Sequence, residues 1–200
     1  MNRYYPVFLD LKGKNVLVVG SGPMANKKAA GLRRAGAKVR VVPAPSFGRD
    51  TPSLTLPQRG GNYSLVVVAT DDPRVQAKVS VIAKRMGILC NVMDRADLSS
   101  FISPSVLRRG DLAVAVSTGG ASPALARWIR KDIEKGLGKG YPGLLRLMKS
   151  LRPRAKRSIP SFPQRKRYYE DLFKGKFLTL ALQGRLKAAR EEALRKLGTA

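Results

Sequence analysis

The apolar positions of this 200-residue chain divide it into two stretches of different character. NVLVVG (15–20) is an uninterrupted apolar run closed by glycine, which suits a parallel strand buried on both faces. PMANKKAAGLRRAGA follows, with Met24, Ala25, Ala29, Leu32 and Ala35 near one helical stripe and Gly36 closing it. KVRVV (38–42) predicts a second strand, SLTL (53–56) a short third and SLVVVAT (64–70) a fourth. A helix is expected from Pro73, a first-turn proline, to about Met86. ILCNV (88–92) then predicts a fifth strand and LAVAVS (112–117) a sixth. Strands alternating with helices predict an α/β fold, a Rossmann-like doubly wound parallel sheet.

From Ser122 the pattern changes. A serine cap and a proline at the first helical position open SPALARWIRKDIEKGLG, which predicts a long helix. Tyr141 to Ala200 contains no convincing strand and reads as three helices, broken near RPRAKRSIPSFP and FKGKF.

Charge adds a second asymmetry. The formal net charge is +26, and residues 139–200 carry 17 Lys/Arg against 4 Asp/Glu. Such a field attracts polyanions: nucleic acid, anionic lipid or a carboxylate-rich small molecule. It equally describes a solvated, charge-dense surface. No run approaches the length of a membrane span and no signal pattern opens the chain, so a soluble protein is expected. One cysteine, Cys90, allows no internal disulfide and fits a reducing cytoplasm. The chain has no histidine, which excludes a Ser-His-Asp triad and a His-ligated zinc site. A general base must be Asp, Glu, Lys, Tyr or the thiolate.

Gly20-Ser21-Gly22-Pro23-Met24-Ala25 fits G-x-G-x-x-A between strand and helix. The first glycine permits the tight turn, the second lets backbone approach a pyrophosphate, and the helix N-terminus presents N–H donors to the anion. An acidic ribose ligand is expected after the second strand, but VVPAPSFGRD has none at the strand's end, and Arg49 leaves NAD and NADP both open. In ATDDP (69–73), Thr70 and Asp71 are candidate cofactor contacts, and Asp72 is the better cap for the next helix. Asp94 ends the fifth strand on the same edge of the sheet, either as a general base or as a turn residue bonded to nearby backbone. Cys90 reads as a small buried hydrophobe. STGGASPALAR (117–127) sets a glycine pair before a helix start, either an anion-binding corner or an ordinary capped loop.

Taken in order, FLDLKGKNVLVVGSG, LVVVATDDPRVQ, ILCNVMDRADLSSFISPS, LAVAVSTGGASPALAR and RKRYYEDLF resemble the precorrin-2 dehydrogenase/sirohydrochlorin ferrochelatase family, the N-terminal module of siroheme synthase. The resemblance implies NAD-dependent oxidation of precorrin-2 to sirohydrochlorin and, in bifunctional members, insertion of ferrous iron. It also implies a homodimer. It carries family dinucleotide contacts onto Pro23, Met24, Ala44 and Pro45, the catalytic aspartate onto Asp94, and a phosphorylatable position onto Thr118. Substrate contacts are implied at Asn91, Phe101, Ser117, Thr118, Gly119 and Gly120. The segment between VVPAPS and SLVVVAT is short for this family, so the helix that relatives place there is expected to be reduced or lost. The resulting expectation is a Rossmann domain over 1–112, a dimerisation segment over 113–138 and a basic all-helical domain over 139–200. No metal-binding cluster and no membrane or nucleic-acid motif is visible. Two rival readings are a dehydrogenase that leaves chelation to another enzyme, and a basic nucleic-acid-binding protein built on a Rossmann core.

Overall fold

The structure, a computed structural model, describes residues 4–44 and 63–198. The SLTL strand expected at 53–56, Pro45 and Arg49 lie outside them. The described residues form two compact units, 4–44 and 63–103 with 119–121, and 104–118 with 122–198.

In the first unit β1 (Asn15–Val19), β2 (Lys38–Val42), β3 (Leu65–Val68) and β4 (Leu89–Val92) form a parallel sheet in the order β2-β1-β3-β4. The chain turns one way from β1 to β2 and the other way to β3 and β4, so the topological switch lies between β1 and β3. Alternate residues of each strand explain why the runs are wholly apolar. Val16, Val18, Leu65 and Val67 pack toward Ala25 and Ala29 of α1 (Pro23–Arg34). Leu17, Val19, Val66, Val68, Cys90 and Val92 pack toward Val79 and Ala83 of α2 (Pro73–Arg85). Both faces are covered, as a doubly wound sheet requires. Met24, expected on the stripe of α1, is instead 49% exposed, because Ala25 and Ala29 take the sheet-facing positions.

β4 is an edge strand, and its outer side is closed in an unusual way. Ser100 N–H donates to the Cys90 carbonyl at 2.8 Å while the Ser100 hydroxyl accepts from Cys90 N–H at 2.8 Å. The Ser99 hydroxyl accepts from Val92 N–H at 2.9 Å, and Asn91 Nδ2 donates to the Phe101 carbonyl at 3.1 Å. The loop thus uses serine side chains to satisfy backbone groups that an open edge would expose.

LAVAVS does not extend the parallel sheet. β6 (Leu112–Val116) pairs antiparallel with β5 (Ser105–Arg109) in the second unit. Gly110, at φ 59, and Asp111 make the two-residue connection that a tight hairpin needs. The long helix appears as α3 (Pro123–Gly136), capped by Ser122, whose hydroxyl accepts from Leu125 N–H at 3.1 Å.

The tail contains four helices where three were expected: α4 (Tyr141–Ser158), α5 (Phe162–Lys174), α6 (Lys176–Leu182) and α7 (Leu186–Leu197). α4 runs through Pro153 because Leu144, Leu147, Leu151 and Ala155 keep one buried stripe across it. That burial offsets the roughly 3 kcal/mol that an interior proline costs. The additional break falls at Gly184, whose φ of 80 ends α6 while Arg185 N–H returns to the Leu180 carbonyl at 2.9 Å. Phe177, Leu172 and Ala181 are fully buried at the centre, and the Tyr168 hydroxyl donates to the Ala193 carbonyl at 2.9 Å. Burial, with Tyr169 beside it, pushes the Tyr168 phenol up to about 12.

Gly140 precedes α4 against the end of α6, and a Cβ there would run into the backbone of Leu182. Gly140→Ala is therefore expected to destabilise the helical unit by about 1–3 kcal/mol. Gly138→Ala, where a Cβ meets nothing within 4 Å, should leave the thermal midpoint nearly unchanged. Equal midpoints for the two variants would contradict this packing.

Candidate active site at the carboxyl edge of the parallel sheet

In a parallel sheet every strand ends at the same edge, so the residues after β1, β3 and β4 gather there. The turn after β1 holds two glycines that do different work. Gly20, at φ 138, donates its N–H to the Val42 carbonyl at 2.8 Å, and a Cβ there would collide with the carbonyl of Ala69. It is glycine because the backbone of β3's end leaves no room. Gly22, at φ 87, faces open space: a Cβ there meets nothing within 4 Å. α1 begins at this point with no side-chain cap and no acidic residue in its first turn, and Pro23 at N1 lacks an N–H to leave unsatisfied. By contrast, α2 and α3 begin on Asp72 and Ser122 caps. An open glycine cradle before an uncapped helix start fits a pyrophosphate. Ser21 and Met24 flank it and are exposed. Ala44, after β2, is buried.

After β3, Thr70 and Asp72 are occupied by the fold. The Thr70 hydroxyl accepts from Asp72 N–H at 3.3 Å, and its carbonyl accepts from the buried Gln76 amide at 2.8 Å. The Asp72 carboxylate accepts from Arg74 N–H at 2.9 Å and from Val75 N–H at 3.3 Å, the expected capping role. Asp71 is exposed, and its carboxylate makes no hydrogen bond with the described residues.

After β4 the geometry singles out Asp94. It is the one non-glycine residue with positive φ, 60°, among those described. The turn itself is closed by backbone, Arg95 N–H donating to the Val92 carbonyl at 3.2 Å. The Asp94 carboxylate is exposed and forms no hydrogen bond with described residues. The neighbouring Asp97 is committed elsewhere: its two oxygens accept from Arg95 at 2.9 and 2.6 Å, which holds its carboxyl below the usual range. Cys90 is buried in β4, and burial pushes its thiol up to about 11, so it supplies no thiolate at neutral pH.

Residues 7–105 match an NAD(P)-binding family model, 109–136 the model of the sirohaem biosynthesis protein central region, and 140–197 that of the sirohaem synthase dimerisation region. The last two of these models are of sirohaem biosynthesis and sirohaem synthase proteins, so the chain is similar to that family over 109–136 and 140–197. It is 38% identical over 200 residues to siroheme synthase of Methylococcus capsulatus, covering 93% of this chain and 42% of that protein. It is 37% identical over 201 residues to siroheme synthase 1 of Yersinia enterocolitica, covering 94% of this chain and 42% of that one. The chain thus spans less than half the length of these relatives. Among solved structures, SirC, a precorrin-2 dehydrogenase, shares the fold with a TM-score of 0.67 at 24% identity, covering 98% of this chain and 100% of that one.

The residues that the family resemblance marks for substrate fall into distinct structural situations. Asn91 is buried, with Nδ2 on the Phe101 carbonyl and Oδ1 accepting from the Ser103 hydroxyl at 3.1 Å, so its amide is spent on the loop. Phe101 packs on the α1 face of the sheet. The Thr118 hydroxyl donates to the Ser122 carbonyl and accepts from Ser122 N–H, both at 3.0 Å. Ser117 is exposed, and Gly119 and Gly120 take φ of 66 and 93 in an exposed bend. One residue of note escaped the sequence reading. Lys28 sits half-buried on α1, its ammonium pulled below the ordinary lysine range by burial and by Lys27, and pulled back up by Asp94. Among the described residues no cluster of potential metal ligands occurs, and no helix is long and apolar enough to cross a membrane.

Proposed function

We propose that the chain catalyses NAD-dependent dehydrogenation of precorrin-2 to sirohydrochlorin, with Asp94 as general base. The observation that carries this reading is the pairing, on one sheet edge, of an open glycine cradle with a carboxylate that the fold does not use. Two strand spacings separate β1 from β4, roughly 10 Å, so a macrocycle bridges the distance from cradle to carboxylate. Dehydrogenation removes one hydride and one proton. NAD, when bound, supplies the hydride acceptor. Gly22 and the first turn of α1 hold its pyrophosphate, and Asp94 takes the proton. The same base would accept pyrrole N–H protons if ferrous iron enters as substrate, making siroheme the product. Incubating purified protein with precorrin-2 and NAD, with and without ferrous iron, tests both steps by absorbance. Absence of the sirohydrochlorin spectrum refutes the first reaction, and an iron-independent spectrum refutes the second.

Two further observations support the partners in this reading. Precorrin-2 carries eight carboxylates, which a chain of net charge +26 complements. Its apparent affinity should therefore fall steeply as salt rises past ~0.2 M, and NAD affinity should fall less. Tighter binding of duplex DNA than of the tetrapyrrole at ~0.15 M salt would instead favour a nucleic-acid role. A homodimer is supported by exposed apolar side chains on the second unit, Val106 on β5 and Leu125 and Trp128 on α3, the last 63% exposed.

A further inference from the structure

Two successive serines cover the outer side of β4, and they do not do the same work. Ser100 turns wholly to Cys90: its hydroxyl accepts from Cys90 N–H at 2.8 Å, and its own N–H donates to the Cys90 carbonyl at 2.8 Å. The Ser99 hydroxyl accepts from Val92 N–H at 2.9 Å but donates to the Arg95 carbonyl at 2.8 Å, with the Val92 carbonyl 3.1 Å away. One oxygen atom thus joins the residue before Met93-Asp94 to the residue after it. The other bonds between or onto these two ends are longer, Arg95 N–H to the Val92 carbonyl at 3.2 Å and Leu98 N–H to the Arg95 carbonyl at 3.3 Å. Ser99 is itself held in place: the preceding Leu98 packs against the α2-side core, and its carbonyl accepts from the Ser80 hydroxyl of α2 at 2.7 Å. Inside the turn Asp94 keeps φ 60, a conformation that a non-glycine residue retains only where its surroundings impose it. The Asp94 carboxylate has no hydrogen bond of its own among the described residues, so the backbone alone sets its direction.

Resting on the reading of Asp94 as general base, we propose that Ser99 is a positioning residue for it, its hydroxyl holding the Val92–Arg95 turn in the left-handed conformation that aims the carboxylate. Covering the edge of the sheet requires only the bond from Val92 N–H. The donated bond to Arg95 lies beyond the strand and serves the turn. In Ser99→Ala the Arg95 carbonyl keeps only the longer bond from Leu98, and the turn is free to relax toward negative φ.

The test sets the two serines against each other in steady-state dehydrogenation of precorrin-2, at a temperature where calorimetry shows every variant folded. Ser99→Ala should lower kcat about ten- to hundredfold while KM for precorrin-2 and for NAD stays unchanged. Ser99→Thr keeps the hydroxyl and should restore most of that loss. Ser100→Ala removes a hydroxyl from the same loop and should lower the melting midpoint comparably, yet keep kcat. In the Asp94→Asn background Ser99→Ala should cost almost nothing further, because no base remains to be aimed. Amide hydrogen exchange supplies a readout independent of turnover: Ser99→Ala should speed exchange at Val92 and Arg95 but not at Cys90, and Ser100→Ala the reverse. Equal losses of kcat in the two alanine variants would make Ser99 an edge cover like its neighbour and overturn the proposal. An unchanged kcat in Ser99→Ala beside an inactive Asp94→Asn overturns it too, and leaves the general-base reading standing. Full dehydrogenation by Asp94→Asn removes the base itself, and the positioning role falls with it.

Discussion

Asp94→Asn is expected to keep the fold and the affinity for NAD while dehydrogenation falls about 10²–10⁴-fold, the usual worth of a positioned general base. The substitution is unusually clean here. Asp94 holds φ 60, and asparagine enters that left-handed region as readily as aspartate does. The amide is nearly isosteric, and the turn is closed by backbone groups that the change leaves alone. Asp94→Ala is a poorer probe, because alanine in that conformation costs about 1–2 kcal/mol. A thermal melt should therefore separate the two variants although neither retains the carboxylate. Asp97→Asn is the control: it sits just beyond Asp94, exposed and paired with Arg95, and should leave turnover close to wild type. Full activity in Asp94→Asn together with loss in Asp97→Asn would make Asp94 a turn residue and move the base to its neighbour.

The β1–α1–β2 unit and the capped α2 were readable because their signals are local. Uninterrupted valine and leucine runs imply burial on both faces, and Asp72-Pro73 announces a helix start by its own chemistry. The β5–β6 hairpin was missed for a physical reason. LAVAVS has the composition of a buried parallel strand, and only the Gly110-Asp111 pair between two apolar runs signals a tight antiparallel turn. The fourth tail helix hid behind Gly184 in the same way, a single residue whose left-handed φ cannot be read from periodicity. The site divides similarly. The candidates offered by the glycine turn and Asp94 stand at strand ends, where the apolar runs place them. The use of Ser99, Ser100 and Asn91 to close the edge of β4 depends on which strand is outermost, which no local pattern reveals. Lys28 gave a faint sign as a charge inside an apolar stripe, but its half-burial depends on how α1 packs against the sheet.

The two glycines of the turn should fail in opposite ways. Gly20→Ala combines a φ of 138 with a Cβ aimed at the Ala69 carbonyl. Backbone strain of about 1–3 kcal/mol and overpacking of similar size add up to a large part of the roughly 5–15 kcal/mol that holds a domain together. The parallel-sheet unit should lose its cooperative unfolding transition, and NAD binding should disappear with it. Gly22→Ala bears only the first of these costs, since its φ of 87 and ψ of −173 are strained for alanine but its Cβ meets nothing. The protein should stay folded at 25 °C with a lowered melting midpoint. Calorimetric titration should then show NAD affinity reduced well beyond the loss explained by the unfolded fraction, because the methyl fills the space a pyrophosphate needs. If Gly22→Ala binds NAD as wild type does, the open space beside Gly22 is solvent rather than cradle. If Gly20→Ala remains folded and selectively loses NAD, the roles of the two glycines are reversed, and the crowding at Ala69 is relieved by a shift of β3 that this geometry does not anticipate.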